Sequence, residues 1–352
     1  MLAVVIISIV LAYGFTFLNG MNDAANCIAS VIATKALSPR HALIWAAFWQ
    51  FAAAFIFPLT VAGTMGQGII DQAVVTPHII LCALVGSVVW IFFCTKSGLP
   101  ISASHALIGG LVGPVWFAFG WEHVISSGLF TIVAFIFLAP VIGIFMGFFL
   151  NCLIMLVFKK SNRLKSEHAF RRMQLVTSAA FSLGFGGNDG QKTIGVVALL
   201  LSSYIAVNPD CAAAGLLTAG PDVPEKLFTP DGMYVPMWLL ISSYATIVFG
   251  TIIGGRKVVR TLGDGISKLT PPQGFCAEMS GALTLIITAL GGIPVSTTHT
   301  ITGSIIGTGL TRGAATVKWA TTKNIVGAWV FTIPATIIVS GFLYLAFMAL
   351  TY

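Results

Sequence analysis

The chain is a succession of apolar stretches separated by short polar ones. Residues 1–34, 41–65, 78–95, 97–120, 124–158, 174–207, 237–254, 277–291, 293–311 and 324–350 each run hydrophobic. A helix crosses a bilayer core in about 20 apolar residues, so ten crossings are the simplest reading. The 124–158 stretch is too long for one perpendicular helix and contains Pro140, which predicts a kink or two segments. The stretches 97–120 and 293–311 carry Pro, Gly, Ser and His and predict re-entrant hairpins in place of plain spans. The expected fold is an all-α integral membrane protein of about 10–12 transmembrane helices.

Composition supports this pattern. Of 352 residues, 57% are hydrophobic and 8% charged, with a mean hydropathy of +0.96. A soluble domain carries roughly 25% charged residues, so this chain has little surface to offer water. The opening run MLAVVIISIVLAYGF has no basic stretch before it and no small-residue cleavage site, and is read as a retained first span. The cysteines Cys27, Cys82, Cys94, Cys152, Cys211 and Cys276 have no C-x-x-C spacing and read as small apolar side chains.

The net charge of +7 is a matter of topology. Of the 18 Lys and Arg, all but Lys192 and Lys226 fall where one alternating topology gathers them on the same side. They are Lys35, Arg40, Lys96, the run Lys159 to Arg172, then Arg256, Lys257, Arg260, Lys268, Arg312, Lys318 and Lys323. The intervening loops hold Asp71, Glu122, Asp210, Asp222, Glu225 and Asp231. This asymmetry places the basic loops in the cytoplasm and both termini outside, and it accounts for the basic run without nucleic acid.

Five crossings lie in residues 1–158 and five in 174–352, joined by a basic cytoplasmic linker at 159–173. An odd number of crossings per half turns the second half upside down, so two inverted-topology repeats are expected. Matched polar elements mark the two halves. Asn22-Asp23 recurs as Asn188-Asp189, an offset of 166. The element Gly98 to His105 (GLPISASH) recurs as Gly292 to His299 (GIPVSTTH), an offset of 194. Carboxylates at membrane depth cost several kcal/mol unless they meet partners, ions or water.

The flanking glycines Gly20, Gly186, Gly187 and Gly190 suggest helices that unwind at each Asn-Asp. Asp23 and Asp189, among Asn22, Asn26, Asn188 and Gln191, form an oxygen-rich setting for a small cation, with Na+ and H+ as alternatives. In the Pro-x-Ser elements, proline breaks the helix and Ser102 and Ser296 cap a new one. The freed N–H groups, with hydroxyls from Ser104, Thr297, Thr298 and Thr300, suit an anion. His105 and His299 read as hydrogen-bond hubs holding helices together, with proton relay as the alternative. Lys192 could pair with Asp189, touch substrate or reach toward an interface.

At these residues the chain resembles the inorganic phosphate transporter (PiT) family, which is marked by duplicated Gly-x-Asn-Asp-x-x-Asn signatures and Pro-x-Ser-(Ser/Thr)-(Ser/Thr)-His elements. The resemblance covers the whole chain. It implies a symporter binding phosphate and cations near the midplane and working by an elevator-like or related alternating-access motion. It places phosphate at Ser102, Ser104, Ser296, Thr297, Thr298 and Gln191, with Asp23 and Asp189 facing it. It places the coupling cation at Asn22, Asp23, Asn26, Asn188, Asp189 and Thr300. Two positions depart from the pattern: Lys192 stands where the second signature has Asn, and Ala103 lacks the hydroxyl of Thr297.

Relatives of similar build move sulfate, so the oxyanion stays open, although both retained Asp residues favour phosphate, which can offer a proton. An intramembrane hydrolase needs one nucleophile and base, which a duplicated set does not provide. A passive channel calls for a continuous polar lining, whereas the polar residues cluster in four short elements. No cofactor is expected beyond the coupling ion. The expected partners are phosphate, that ion and the lipid bilayer, and a homodimer is an assembly the sequence leaves open.

Overall fold

The computed structural model describes residues 1–208, 228–229, 232–254, 259 and 266–351. Cys211, the charged residues Asp210, Asp222, Glu225, Lys226 and Asp231, and the basic Arg256, Lys257 and Arg260 lie outside the described residues. Described residues of the first half form α1 (Leu2–Ala33), α2 (Pro39–Ala52), α3 (Thr60–Gln67), α4 (Pro77–Ser97), α5 (Ala103–Phe119) and α6 (Ser126–Val157). The second half contributes α7 (Arg163–Val207), α8 (Met237–Ile253), α9 (Pro271–Leu290), α10 (Thr297–Leu310) and α11 (Trp319–Thr351). Apart from short 3-10 turns, the other regular structure among the described residues is a two-residue hairpin pairing Phe228–Thr229 with Gly232–Met233.

Each of the ten apolar stretches carries a helix, but they are unequal. Six of the described helices are long and apolar enough to cross a membrane. A seventh span exists if α2 and α3, bent by 77° at a break containing Pro58, count as one. Helices α5, α8 and α10 are shorter, with 17, 17 and 14 residues.

One expectation is corrected. Helices α1 and α7 run unbroken through Asn22-Asp23 and Asn188-Asp189. The glycines beside them are packing devices instead. A Cβ on Gly20 would strike the Ile247 carbonyl, on Gly186 that of Gln50, and on Gly187 and Gly190 the rings of Phe57 and Tyr244. Within the basic linker at 159–173, α7 starts at Arg163, where Asn162 Oδ1 accepts the N–H groups of Leu164 and Lys165. At 45 residues α7 is about 68 Å long against a hydrocarbon core of roughly 30 Å, so its basic first turns project beyond the apolar layer. Of the two readings of 124–158, the structure has one continuous α6 with Pro140 inside it, as Pro334 lies inside α11, in place of two segments.

The offset of 194 extends well past the Pro-x-Ser motif. Thr76-Pro77 opens α4 as Thr270-Pro271 opens α9, and left-handed glycines follow both helices, Gly98 at φ 75° and Gly292 at φ 67°. Ser102 Oγ accepts the His105 N–H to start α5, and Ser296 Oγ accepts the His299 N–H to start α10, both at 3.3 Å. Helix α5 packs most extensively on α11, and α10 on α6, so each hairpin leans on the last helix of the opposite half. Glycines permit this close approach. A Cβ on Gly113 would collide with the Ile337 carbonyl of α11, and one on Gly307 with the Ile144 carbonyl of α6.

Candidate functional site

Because α5 and α10 begin only after a proline break, their first turns lie inside the protein, and the Asn-Asp segments of α1 and α7 meet them there. Asn22, Asp23, Asn26, Ser104, Asn188, Asp189, Lys192, Thr297 and Thr298 are all buried, none more than 2% exposed. Asp23 Oδ1 accepts from Asn22 Nδ2 at 2.8 Å and from Thr298 Oγ1 at 3.3 Å. The Thr297 hydroxyl lies 3.2 Å from Asp23 Oδ2 and 3.3 Å from Asp189 Oδ2. One hydroxyl thus links carboxylates from the two halves, and its single proton can serve only one of them at a time.

Contacts cross between halves in matched fashion. Asn26 Nδ2 donates to Thr298 Oγ1 at 2.9 Å and Thr297 Oγ1 at 3.2 Å, joining the first signature to the second hairpin. Lys192, 166 positions on from Asn26, donates to Ser104 Oγ, the counterpart of Thr298 in the first hairpin. Lys192 Nζ also pairs with Asp189 Oδ1 and donates to the Val295 carbonyl at 3.1 Å. Of the three roles open to Lys192, the structure thus shows the pairing with Asp189, and its burial excludes reaching to an interface.

Other candidates sit elsewhere. Gln191 is not directed at the carboxylates: its Oε1 accepts the Val61 and Ala62 N–H groups at the start of α3, and its Nε2 donates to the Pro58 carbonyl. It satisfies backbone groups at the start of α3, whose N-cap residue Leu59 supplies no side-chain hydrogen bond. Thr300 Oγ1 bonds back to the Ser296 carbonyl at 3.0 Å, one turn earlier in its own helix. Ser102 and Ser296 use their hydroxyls as caps. Asn188 Nδ2 donates to the Ile293 carbonyl at 3.3 Å, and its Oδ1 has no partner among the described residues.

His105 and His299 face each other edge to face, ring centroids 4.8 Å apart, and His299 stacks on Trp329 at 3.7 Å. Trp329 Nε1 in turn donates to the Pro100 carbonyl. The histidines therefore join the two hairpins by ring contact and not as the expected hydrogen-bond hubs, for His105 Nδ1 and His299 Nε2 have no partner among the described residues.

Two features escaped sequence reasoning. Thr95 Oγ1 donates to Asn22 Oδ1 at 3.2 Å, orienting that amide toward Asp23. Glu278 of α9 is fully buried, with Oε2 accepting from Thr177 at 2.6 Å and Oε1 accepting from Ser30 and Gln174. A lone carboxylate inside the stretch 277–291 was the signal that could have found it.

A sealed polar centre, assembled from matched halves inside an apolar helical body, defines a multi-pass membrane transport protein. The comparisons with known proteins specify it. A family model described as the phosphate transporter family matches residues 19–340, and the chain belongs to that family. The probable low-affinity inorganic phosphate transporter of Rhizobium meliloti (strain 1021) is 42% identical over 338 residues, covering 96% of this chain and 95% of that one. The protein described in the same words from Bacillus subtilis (strain 168) is 34% identical over 346 residues, covering 98% and 97%. A solved structure, the sodium-dependent phosphate transporter, is similar with a TM-score of 0.85 at 25% identity, covering 99% of this chain and 100% of that one.

Proposed function

We propose that this protein is a secondary active transporter that moves inorganic phosphate across the membrane together with a cation, with the buried cluster as its binding site. The observation that carries this reading is the Thr297 hydroxyl linking Asp23 and Asp189 at the first turn of a helix whose N-terminus opens into the cluster. The anion is received by the first turns of α5 and α10, through the N–H groups and hydroxyls of Ser104, Thr297 and Thr298. Helix N-termini favour negative charge, while two carboxylates close by repel it unless a cation or proton intervenes. That opposition makes binding of anion and cation interdependent, which is what symport requires.

The cation is assigned to Asp23 with Asn22 and Asn26. Sodium is the favoured ion, since the similar solved structure is of a sodium-dependent transporter. The halves are assigned as inverted repeats of residues 1–158 and 174–352, both termini outside. Paired backbone bridges support the inversion: Ile70 pairs with Val124 beside the acidic Asp71, and Ser267 pairs with Val317 beside the basic Lys268 and Lys318.

The test is radiolabelled phosphate uptake into proteoliposomes under imposed Na+ or H+ gradients, with sulfate and arsenate as competitors. Accumulation driven by one gradient, blocked by arsenate and indifferent to sulfate, is expected. Uptake that never exceeds equilibrium under either gradient refutes symport, and efficient competition by sulfate moves the substrate to the sulfate class.

A further inference from the structure

We propose that Lys192 is a tethered counter-cation filling the cation position of the second signature, so that a single coupling cation, at Asp23, accompanies each phosphate. The inference rests on the transport reading above and deepens it by setting the coupling ratio.

The two signatures superimpose in sequence at an offset of 166, with Asp189 matching Asp23 and Lys192 matching Asn26. Their contacts match as well, Asn26 to Thr298 and Lys192 to Ser104. Around the Lys192 ammonium stand three oxygens, a carboxylate (Asp189 Oδ1), a hydroxyl (Ser104) and a backbone carbonyl (Val295). Those are the donor types a sodium ion takes, and here they are already occupied by a covalently held positive charge.

The first copy differs where it matters. Asp23 receives only neutral donors among the described residues, from Asn22, Thr297 and Thr298. Asn26 Oδ1 is buried with no partner among the described residues, an acceptor left over one turn along the helix from Asp23. Two carboxylates and one ammonium leave one negative charge, which one external cation neutralises. A lysine cannot leave with the substrate, so it contributes charge without being transported.

The full chain, reconstituted in proteoliposomes at fixed pH, is assayed for phosphate flux across a series of membrane potentials. The reversal potential reports the net charge moved per phosphate, that is, the cations less the charge of the anion. Lys192→Asn restores the residue of the first copy. It is expected to add one charge per phosphate and to raise the Hill coefficient for the activating cation from about one to about two. Lys192→Arg keeps the tethered charge and is expected to keep the wild-type charge count.

A Lys192→Asn protein that transports with the wild-type charge count and Hill coefficient overturns the proposal. Should Lys192→Asn insert but not transport, the wild-type Hill coefficient decides, about one in support and about two against. A wild type that moves no phosphate refutes the transport reading and this inference with it. A transporting wild type with an unchanged variant charge ratio overturns the inference alone.

Discussion

The two Asn-Asp copies occupy matched places in matched helices, yet they solve the same electrostatic problem differently. Asp23 is held by amide and hydroxyl donors and by no charged group among the described residues. Asp189 is held by an ammonium three residues further along its own helix, in one buried ion pair. A carboxylate stabilised by neutral donors keeps most of its negative charge available for an incoming cation. One paired with lysine has its charge offset in advance. On the proposed reading, two related sequences share a backbone and divide the labour between ion binding and structure.

Neutralising the carboxylates one at a time separates these roles most sharply. Asp189→Asn leaves the Lys192 ammonium buried without its partner and is expected to cost about 3–5 kcal/mol of stability. A thermal melt in detergent should show this as a large drop, largely recovered in Asp189→Asn/Lys192→Asn. Asp23→Asn strands no charge, so its melt should stay near wild type while cation-driven phosphate accumulation is lost. Equal destabilisation by both substitutions, or full concentrative uptake by Asp23→Asn, would break the comparison.

The hydroxyls come next in size. Thr298→Ala and Ser104→Ala each remove a donor at a helix N-terminus facing the site, worth about 1 kcal/mol or several-fold in the apparent KM for phosphate. Ser104→Ala should have the additional effect of loosening Lys192 and lowering the melting temperature, which Thr298→Ala should not do. An unchanged KM in both would remove the anion from these first turns.

Packing of the swapped hairpins gives a comparable but purely structural effect. Gly307→Val and Gly113→Val should each cost about 1–3 kcal/mol, because the added carbons collide with the Ile144 and Ile337 carbonyls. Measured by melting, similar losses would show the halves to be structurally equivalent even where their signatures are not.

The smallest effect lies outside the membrane. The Ala73 N–H, and after it the His123 ring, hold the Asp71 carboxyl below its ordinary range. A depressed carboxylate contributes stability above its unfolded pKa, and that contribution is lost as pH falls through the folded one. Asp71→Asn should therefore leave the melt near neutral pH almost unchanged, the pair being well exposed, and flatten the decline in acid. An acid limb identical to wild type would show that the loop contact contributes nothing.

Much of the architecture was legible because its causes are local. Hydropathy marked the ten apolar stretches, each of which carries a helix, and the prolines at 100 and 294 with their serine caps marked where α5 and α10 begin. The glycines around Asn-Asp were misread as unwinding points, since a glycine that admits a neighbouring backbone looks the same in sequence as one that breaks a helix. Gln191 looked like a ligand beside Asp189 but is turned toward the α2–α3 bend, a segment about 130 residues away along the chain. Glu278 was visible as a lone carboxylate, but its partners Ser30, Gln174 and Thr177 come from two other helices.

The sequence by itself determined the membrane setting, the duplication and the ends of the hairpin helices, because solvation, proline and capping act within a few residues. Only the tertiary structure decided that each hairpin packs on the opposite half, that one threonine links both carboxylates and that Lys192 pairs with Asp189. Those outcomes depend on which helices approach closely enough to bury charge together. That distance is set by glycine-lined packing between segments far apart in the chain.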